Sequence, residues 1–165
     1  MTVRQLARPR LSTIAPVVST LVRLGLGGVL LAAGGLKVVD PQASVQAVRA
    51  FELLPPGLEL LVGWGLPFVE ISLGLLLMAG IFTRVAASVS AVLLVIFFAA
   101  VASAAVRGLS IDCGCFGGGG QVAAGQTEYG SEIIRDTGLL VLAAWLVWRP
   151  RSLFSLDRAD LKDER

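Results

Sequence analysis

The chain has 165 residues, of which 55% are hydrophobic and only 16% are charged, and its formal net charge at pH 7 is +2. A soluble domain ordinarily carries about 25% charged residues, and one of this size could not hide so much apolar surface from water. Histidine is absent and only two cysteines are present, which excludes His-ligated metal or haem sites, imidazole catalysis and a dense disulfide framework. The composition therefore predicts a small all-α integral membrane protein with few reactive groups.

Four apolar runs predict membrane-spanning helices, and the last of them is shorter than the about 20 residues that usually cross the hydrocarbon core. They cover residues 14–36, 58–80, 85–106 and 133–148. A basic leader at 1–13 precedes them, and a polar tail at 149–165 follows. A basic leader can also open a secretory signal peptide, but the first run is long for that and three more runs follow it. We expect one domain, a four-helix transmembrane bundle in the cell membrane.

The distribution of Lys and Arg predicts how this bundle is oriented. Cytoplasmic flanks of membrane proteins hold an excess of these residues. The leader and the tail are rich in them, whereas the links at 37–57 and 107–132 also contain several acidic residues. We therefore expect both termini in the cytoplasm and the two long links, the first and second outer loops, outside it.

The first outer loop has the pattern of an amphipathic helix. Asp40 and Pro41 are typical of an N-cap and a first helical position. Apolar residues then recur at helical spacing as far as Leu54, and the Pro-Pro-Gly sequence at 55–57 ends the helix. We expect this helix to lie in the outer membrane interface and to cap the bundle, either as a plain connector or as part of a docking surface.

The second outer loop contains both cysteines, Cys113 and Cys115, separated by one glycine and followed by four glycines at 117–120. Residues two apart can reach disulfide geometry when a glycine bends the backbone between them. Closing so small a ring stabilises by only about 1.6 kcal/mol, so such a bridge suits exchange better than structural support. Three interpretations stay open: a thiol–disulfide exchange site, a metal or cluster site with further ligands from a second subunit, and a structural bridge or inert thiols.

Charged residues near the cysteines act on them in opposite directions. We expect Asp112 to raise the pKa of a neighbouring thiol and Arg107 to lower it, and which effect dominates stays open. The glycines at 117–120 form either a plain linker or a mobile segment that presents the cysteines to another protein.

Among the charges within the predicted spans, Arg23 in the first and Glu70 in the second lie farthest from the span ends. At about 1.5 Å per residue, both lie roughly 14–15 Å from the cytoplasmic end of their span. Because charges in lipid are costly and usually paired, we expect an Arg23–Glu70 ion pair with either a functional or a helix-registering role. Glycines on both spans permit the two helices to approach closely.

The order of these features resembles that of the DoxX-like membrane proteins. The residues concerned are Arg23, Gly27, Gly28, Gly35, Lys37, Asp40, Pro41, Glu52 to Pro55, Glu70 and Gly74. The run Cys113 to Gly117 (CGCFG), with Arg135 and Asp136, narrows the resemblance to the MauE branch, the methylamine utilisation protein family. The resemblance covers residues 20–148.

This resemblance implies a four-helix membrane protein associated with redox work. The founding member is implicated, with a thioredoxin-like partner, in maturing the disulfide-rich small subunit of methylamine dehydrogenase. By resemblance, Cys113 and Cys115 are the redox pair. Four further positions belong to the family pattern without an assigned role: Arg23, Lys37, Glu70 and Arg135.

The sequence thus favours a membrane thiol–disulfide redox protein. A thioredoxin-like partner outside the membrane exchanges with the cysteines through a mixed disulfide, and electrons pass to or from a quinone or a second membrane protein. Arg107 and Arg135 are expected near the loop, where they polarise a thiolate or a quinone carbonyl. The alternative is a non-enzymatic subunit that anchors or assembles a redox complex. A homo-oligomer stays open, and we expect neither a metal nor a nucleic-acid partner.

Overall fold

The structure is a computed structural model that describes residues 8–123, 125–153 and 155–156, with side chains described from residue 14 onward. Most of the predicted basic leader and of the polar tail, with the charges on which the orientation partly depends, lies outside the described residues.

Within the described residues the chain is mostly helical, as predicted, with one short hairpin. The elements are α1 Arg8–Val39, α2 Pro41–Ala50, α3 Leu58–Ala79, α4 Thr83–Val106, β1 Ile111–Asp112, β2 Gly120–Gln121 and α5 Tyr129–Trp148. The most extensive contacts join α1 to α3 and α4 to α5, and α1 also packs on α5 and α3 on α4. The four long helices therefore surround one apolar core, in which Leu26, Leu77 and Leu146 are fully buried.

Three described helices are long and apolar enough to cross a membrane: Ile14–Val39 within α1, the whole of α3 and the whole of α4. Their outward side chains are large and apolar, for example Leu61 and Val92, as a lipid-facing surface requires. The predicted run at 133–148 is helical and forms most of α5. This helix differs from the others because its first two turns contain Glu132, Arg135 and Asp136.

Close contact between α1 and α3 depends on glycine, as predicted. A Cβ on Gly34 would lie 2.7 Å from the carbonyl oxygen of Pro67, and one on Gly74 would lie 2.9 Å from the carbonyl oxygen of Gly27. No side chain fits at these positions, so glycine is what lets the two backbones approach each other.

The way in which these contacts align α1 with α3 shows that the predicted Arg23–Glu70 ion pair is wrong. Both carboxylate oxygens of Glu70 instead accept hydrogen bonds from Lys37 Nζ, at 2.6 and 2.8 Å. Arg23 lies beside Gly80, the C-cap of α3, and its Nη2 donates to the carbonyl oxygen of Leu153 at 3.4 Å.

The predicted depth of Arg23 was wrong because it was measured from the start of the apolar run and not from the start of the helix. The helix itself starts at Arg8, and the contact of Gly27 with Gly74 means that residues before about 21 extend beyond the end of α3. There Ser19 Oγ donates to the carbonyl oxygen of Arg149 at 2.9 Å, so the beginning of α1 packs beside the end of α5.

Helix α2 begins as predicted. Asp40 Oδ1 accepts the N–H of Ala43 at 3.0 Å, and Pro41 takes the first helical position. The helix ends at Ala50 rather than at Leu54, because the backbone turns at Glu52, which has a φ of 52°. Its buried side packs on α3, where Ser44 Oγ donates to the carbonyl oxygen of Gly63 at 2.8 Å.

The second outer loop is anchored at both its ends. Ile111 pairs with Gln121 in the hairpin and packs in a second apolar cluster with Phe51 and Val101. Between the strands the loop lies against α2: a Cβ on Gly114 or Gly119 would lie 2.6 or 2.7 Å from that of Ala47. The glycines thus fit the loop tightly onto α2 at this end of the helices.

Candidate active site around the two cysteines

The two cysteines occupy a tight turn directly after β1. The amide of Gly117 donates to the carbonyl oxygen of Gly114 across this turn, and Gly114 has a φ of 65° that favours glycine. Both thiols are free and half-buried, and their Sγ atoms lie 2.6 Å apart. The spacing that the sequence suggested therefore brings the sulfurs within reach of each other.

Hydrogen-bond donors converge on Cys113 rather than on Cys115. The amide of Cys115 lies 3.3 Å from Cys113 Sγ, and Arg135 Nη2 lies 3.6 Å from it. The two sulfurs also share a hydrogen bond, in which the thiol of Cys115 donates when Cys113 is ionised. The turn therefore distinguishes two cysteines that look equivalent in the sequence.

This arrangement separates the acidities of the two thiols. The hydrogen bond from Cys115, supported by those from Arg135 and the backbone, lowers the pKa of Cys113 despite its burial. The pKa of Cys115 is raised, because its proton is held by Cys113 and because burial disfavours a second thiolate beside the first. Cys113 is thus the more acidic thiol of the pair, and its thiolate is the one stabilised as nucleophile or as leaving group.

Two acidic residues complete the site: Glu132, which the sequence analysis did not select, and Asp136, which it named only as part of the family pattern. Glu132 is only 7% exposed, and its Oε1 accepts the amide hydrogen of Cys113 at 3.3 Å. Its Oε2 has no hydrogen-bond partner in the part of the chain that the structure describes. Asp136 Oδ1 binds Arg135 Nε at 3.0 Å and so orients the guanidinium that reaches Cys113.

The sequence contains a pattern that identifies these two acidic residues as candidates. Residues 132, 135 and 136 are three and four apart and share one helix face, at the apolar-to-polar boundary of the last run. The guanidinium of Arg135 also lies over the ring of Phe116, 5.2 Å from its centre. Phe116 therefore helps to fix Arg135 beside the thiolate.

The other predicted residues have different places. Asp112 Oδ1 accepts the amide hydrogen of Gly114 at 2.9 Å and shapes the turn. Arg107 donates to the carbonyl oxygens of Phe51 and Ser103, so it joins the end of α4 to the end of α2. Arg23 lies at the opposite end of the helices.

The cysteine pair separates two cavities. Towards the helices, a cavity of about 180 Å³ is almost wholly apolar, and Lys37, from the buried ion pair with Glu70, lies in its wall. On the other side, a cleft of about 420 Å³ has a mostly polar wall that includes Asp112, Glu132 and Arg135. Both cysteines line both spaces, so the pair borders the apolar cavity on one side and the polar cleft on the other.

Residues of the types that bind metal ions also lie close together at this turn. Ligand atoms of Asp112, Cys113 and Glu132 lie within 4.8 Å of one another. Zinc sites in proteins usually have four ligands, three of them from protein in catalytic sites. Here, however, the guanidinium of Arg135 already provides a positive charge beside the sulfur, so the geometry favours a thiolate stabilised by Arg135 over a metal thiolate.

Comparison with known proteins gives one family. The family model described as methylamine utilisation protein MauE matches residues 15–149. The match begins within α1 and runs one residue past the end of α5, so it includes the cysteine turn. No curated protein and no solved structure matches the chain.

Proposed function

Since the chain is a membrane protein that belongs to the family of methylamine utilisation protein MauE, we propose that it is a thiol–disulfide oxidoreductase acting through Cys113 and Cys115. The observation that supports this most directly is the convergence of donors on Cys113 Sγ. A merely structural bridge needs no stabilised thiolate, whereas exchange chemistry requires one. The family name connects such a role with the utilisation of methylamine.

The chemistry follows from the asymmetry of the pair. In the oxidised state, a thiolate of the partner attacks Cys115 Sγ, the Cys113–Cys115 bond breaks, and Cys113 leaves as a thiolate. Arg135 and the amide of Cys115 stabilise that charge, and a thiol of lower pKa leaves faster. The partner's second thiolate then attacks its own mixed-disulfide sulfur and releases Cys115. The partner loses two electrons and two protons, and the pair gains them.

The proposed partner is a thioredoxin-like protein outside the membrane. The mostly polar cleft above the cysteines offers it a docking site, and Glu128 and Ser131 at the start of α5 form part of its rim. The exposed edge of the turn, with Phe116 40% exposed, provides an apolar contact for such a protein. The cleft therefore gives access to the sulfurs without opening the helices.

The proposed topology has four spans, both termini in the cytoplasm and the cysteine turn outside. The contact between Ser19 and Arg149 supports it, because the beginning of α1 and the end of α5 then lie on the same side. The cysteine turn lies at the other end of the helices, beside the end of α1. In this topology α2, with exposed Gln42, Gln46 and Arg49, occupies the outer membrane interface.

The test uses the full-length protein in detergent with reduced thioredoxin as a probe; in each single-cysteine variant the remaining cysteine first carries thionitrobenzoate as a mixed disulfide, which thioredoxin displaces. We expect Cys113→Ser to accumulate a mixed disulfide with thioredoxin on Cys115, because Cys115 is the poorer leaving group when the second thiolate of thioredoxin attacks. Cys115→Ser should accumulate much less, since the stabilised Cys113 thiolate leaves readily. Ser88→Ala, a change near the start of α4 at the opposite end of the helices from the cleft, is the matched control and should exchange like the unchanged protein.

Two results would contradict the proposal. One is failure of the oxidised protein to oxidise reduced thioredoxin. The other is full retention of partner binding and of cellular activity in the double Cys113→Ser/Cys115→Ser variant, which is what an anchor or assembly subunit would show.

A further inference from the structure

The apolar cavity beneath the cysteines has the size of one ring. Its volume of about 180 Å³ is close to the roughly 150 Å³ of an engineered apolar cavity that binds benzene. Its walls come from α1, α2, α3, α4 and the cysteine turn, and include Val48, Leu66 and Phe97. The cavity therefore accommodates a single substituted six-membered ring.

The cavity opens towards the lipid. Leu53, Val62 and Ile96 line it, and these side chains are 50%, 37% and 58% exposed. Val62 and Ile96 belong to α3 and α4, two of the helices long and apolar enough to cross a membrane. A ligand that reaches this cavity consequently arrives from the bilayer and has an apolar body.

Lys37 supplies the polar feature that selects the ligand. Lys37 is 4% exposed, and Glu70 accepts two of the three N–H groups of its ammonium. Within the described residues the third N–H has no hydrogen-bond acceptor, and the nearest ring, that of Phe97, has its centre 5.8 Å away. A ring with a carbonyl oxygen would satisfy this donor, whereas a plain acyl chain would not.

The cysteines form another wall of the same cavity. Building on the redox function proposed above, we infer that this cavity binds the ring of a lipid-soluble quinone, with a carbonyl oxygen on Lys37, and that this quinone oxidises the cysteine pair. In the reaction two S–H bonds break and the Cys113–Cys115 bond forms. The two electrons and two protons pass to the quinone, whose two carbonyl oxygens become the hydroxyls of a quinol.

The binding test is independent of redox activity. The Cys113→Ser/Cys115→Ser variant of the full chain, in detergent, is photolabelled with an azido-ubiquinone, and the labelled peptides are mapped by mass spectrometry. We expect label on the peptides that line the cavity, removed by excess decylubiquinone. Val62→Trp, which narrows the opening, should reduce this labelling at least tenfold.

Matched variants make the test specific. Val69→Trp is the control, because Val69 is an exposed residue two turns further along α3 that does not line the cavity. It should label like the parent. The double Lys37→Met/Glu70→Met change removes the donor without leaving a lone buried charge, and it should also reduce labelling at least tenfold.

Equal labelling of the Val62→Trp and Val69→Trp variants, or labelling competed equally by a long-chain alcohol, would overturn the inference and indicate a general lipid site. With both cysteines present, reduced protein should convert one decylubiquinone to its quinol per cysteine pair. If thioredoxin exchange is intact while quinone binding is absent, the inference fails and the proposed function stands. If quinone binds while the cysteines do not exchange, the proposed function fails.

Discussion

Replacing Arg135 by glutamine tests whether its guanidinium stabilises the Cys113 thiolate. The change is made in the Cys115→Ser background, so that a single thiol titrates and the serine hydroxyl still donates to Cys113. The pKa of Cys113 should rise, because the contact from Arg135 Nη2 favours the charged form.

The size of the shift follows from the geometry. A hydrogen bond to a charged group contributes about 1.5–3 kcal/mol, and the distance of 3.6 Å between Nη2 and Sγ places this one at the weak end. One pKa unit corresponds to about 1.36 kcal/mol, so we expect a rise of about one unit. Below the pKa the thiolate fraction then falls about tenfold.

The assay is the rate of alkylation as a function of pH. Nucleophilicity grows with thiol pKa, with a Brønsted slope of about 0.4–0.5. Because each remaining thiolate is more nucleophilic, part of the loss in thiolate fraction is offset. The alkylation rate at pH below the pKa should therefore fall only about three- to fourfold. Arg107→Gln is the matched control: it removes the same charge from the same end of the helices, but Arg107 donates to backbone carbonyls. A shift below about 0.3 units, or equal shifts in both variants, would refute the reasoning.

Three further predictions concern the loop, the buried ion pair and the topology. Gly114→Ala should destabilise the protein by about 1–3 kcal/mol in thermal unfolding, because the new methyl group meets Ala47. Gly118→Ala, also at positive φ but with open space around it, should cost less, and equal losses would contradict the packing argument. Lys37→Met should cost about 3–5 kcal/mol, and adding Glu70→Met should recover most of it; a double variant as unstable as the single would count against the pair. In right-side-out vesicles a membrane-impermeant maleimide should label the reduced cysteines, whereas labelling only after lysis would place the turn on the other side.

Local features of this protein could be predicted from the sequence. The N-cap at Asp40 depends on residues three apart, and the approach of the two cysteines depends on the turn between them. The close packing at Gly27 and Gly74 was also predictable, since small residues on consecutive apolar helices mark their contact face.

The features that the sequence analysis predicted wrongly or missed depend on how distant segments of the chain align with each other. Lys37 and Glu70 are 33 residues apart, and their pairing follows from how far α1 extends beyond the apolar run. The position of Glu132 beside Cys113 requires the start of α5 to pack against the cysteine turn. The difference between the two thiols has the same origin, because it depends partly on Arg135, which lies 22 residues from Cys113.

The position of one cysteine pair between two cavities has a kinetic consequence. A single pair holds either two thiols or one disulfide, so on the proposed mechanism it must finish with one substrate before it can react with the other. Turnover should therefore be ping-pong, with parallel double-reciprocal plots for the partner protein and the quinone. The two substrates can be bound at the same time on opposite sides of the turn, yet they never need to meet.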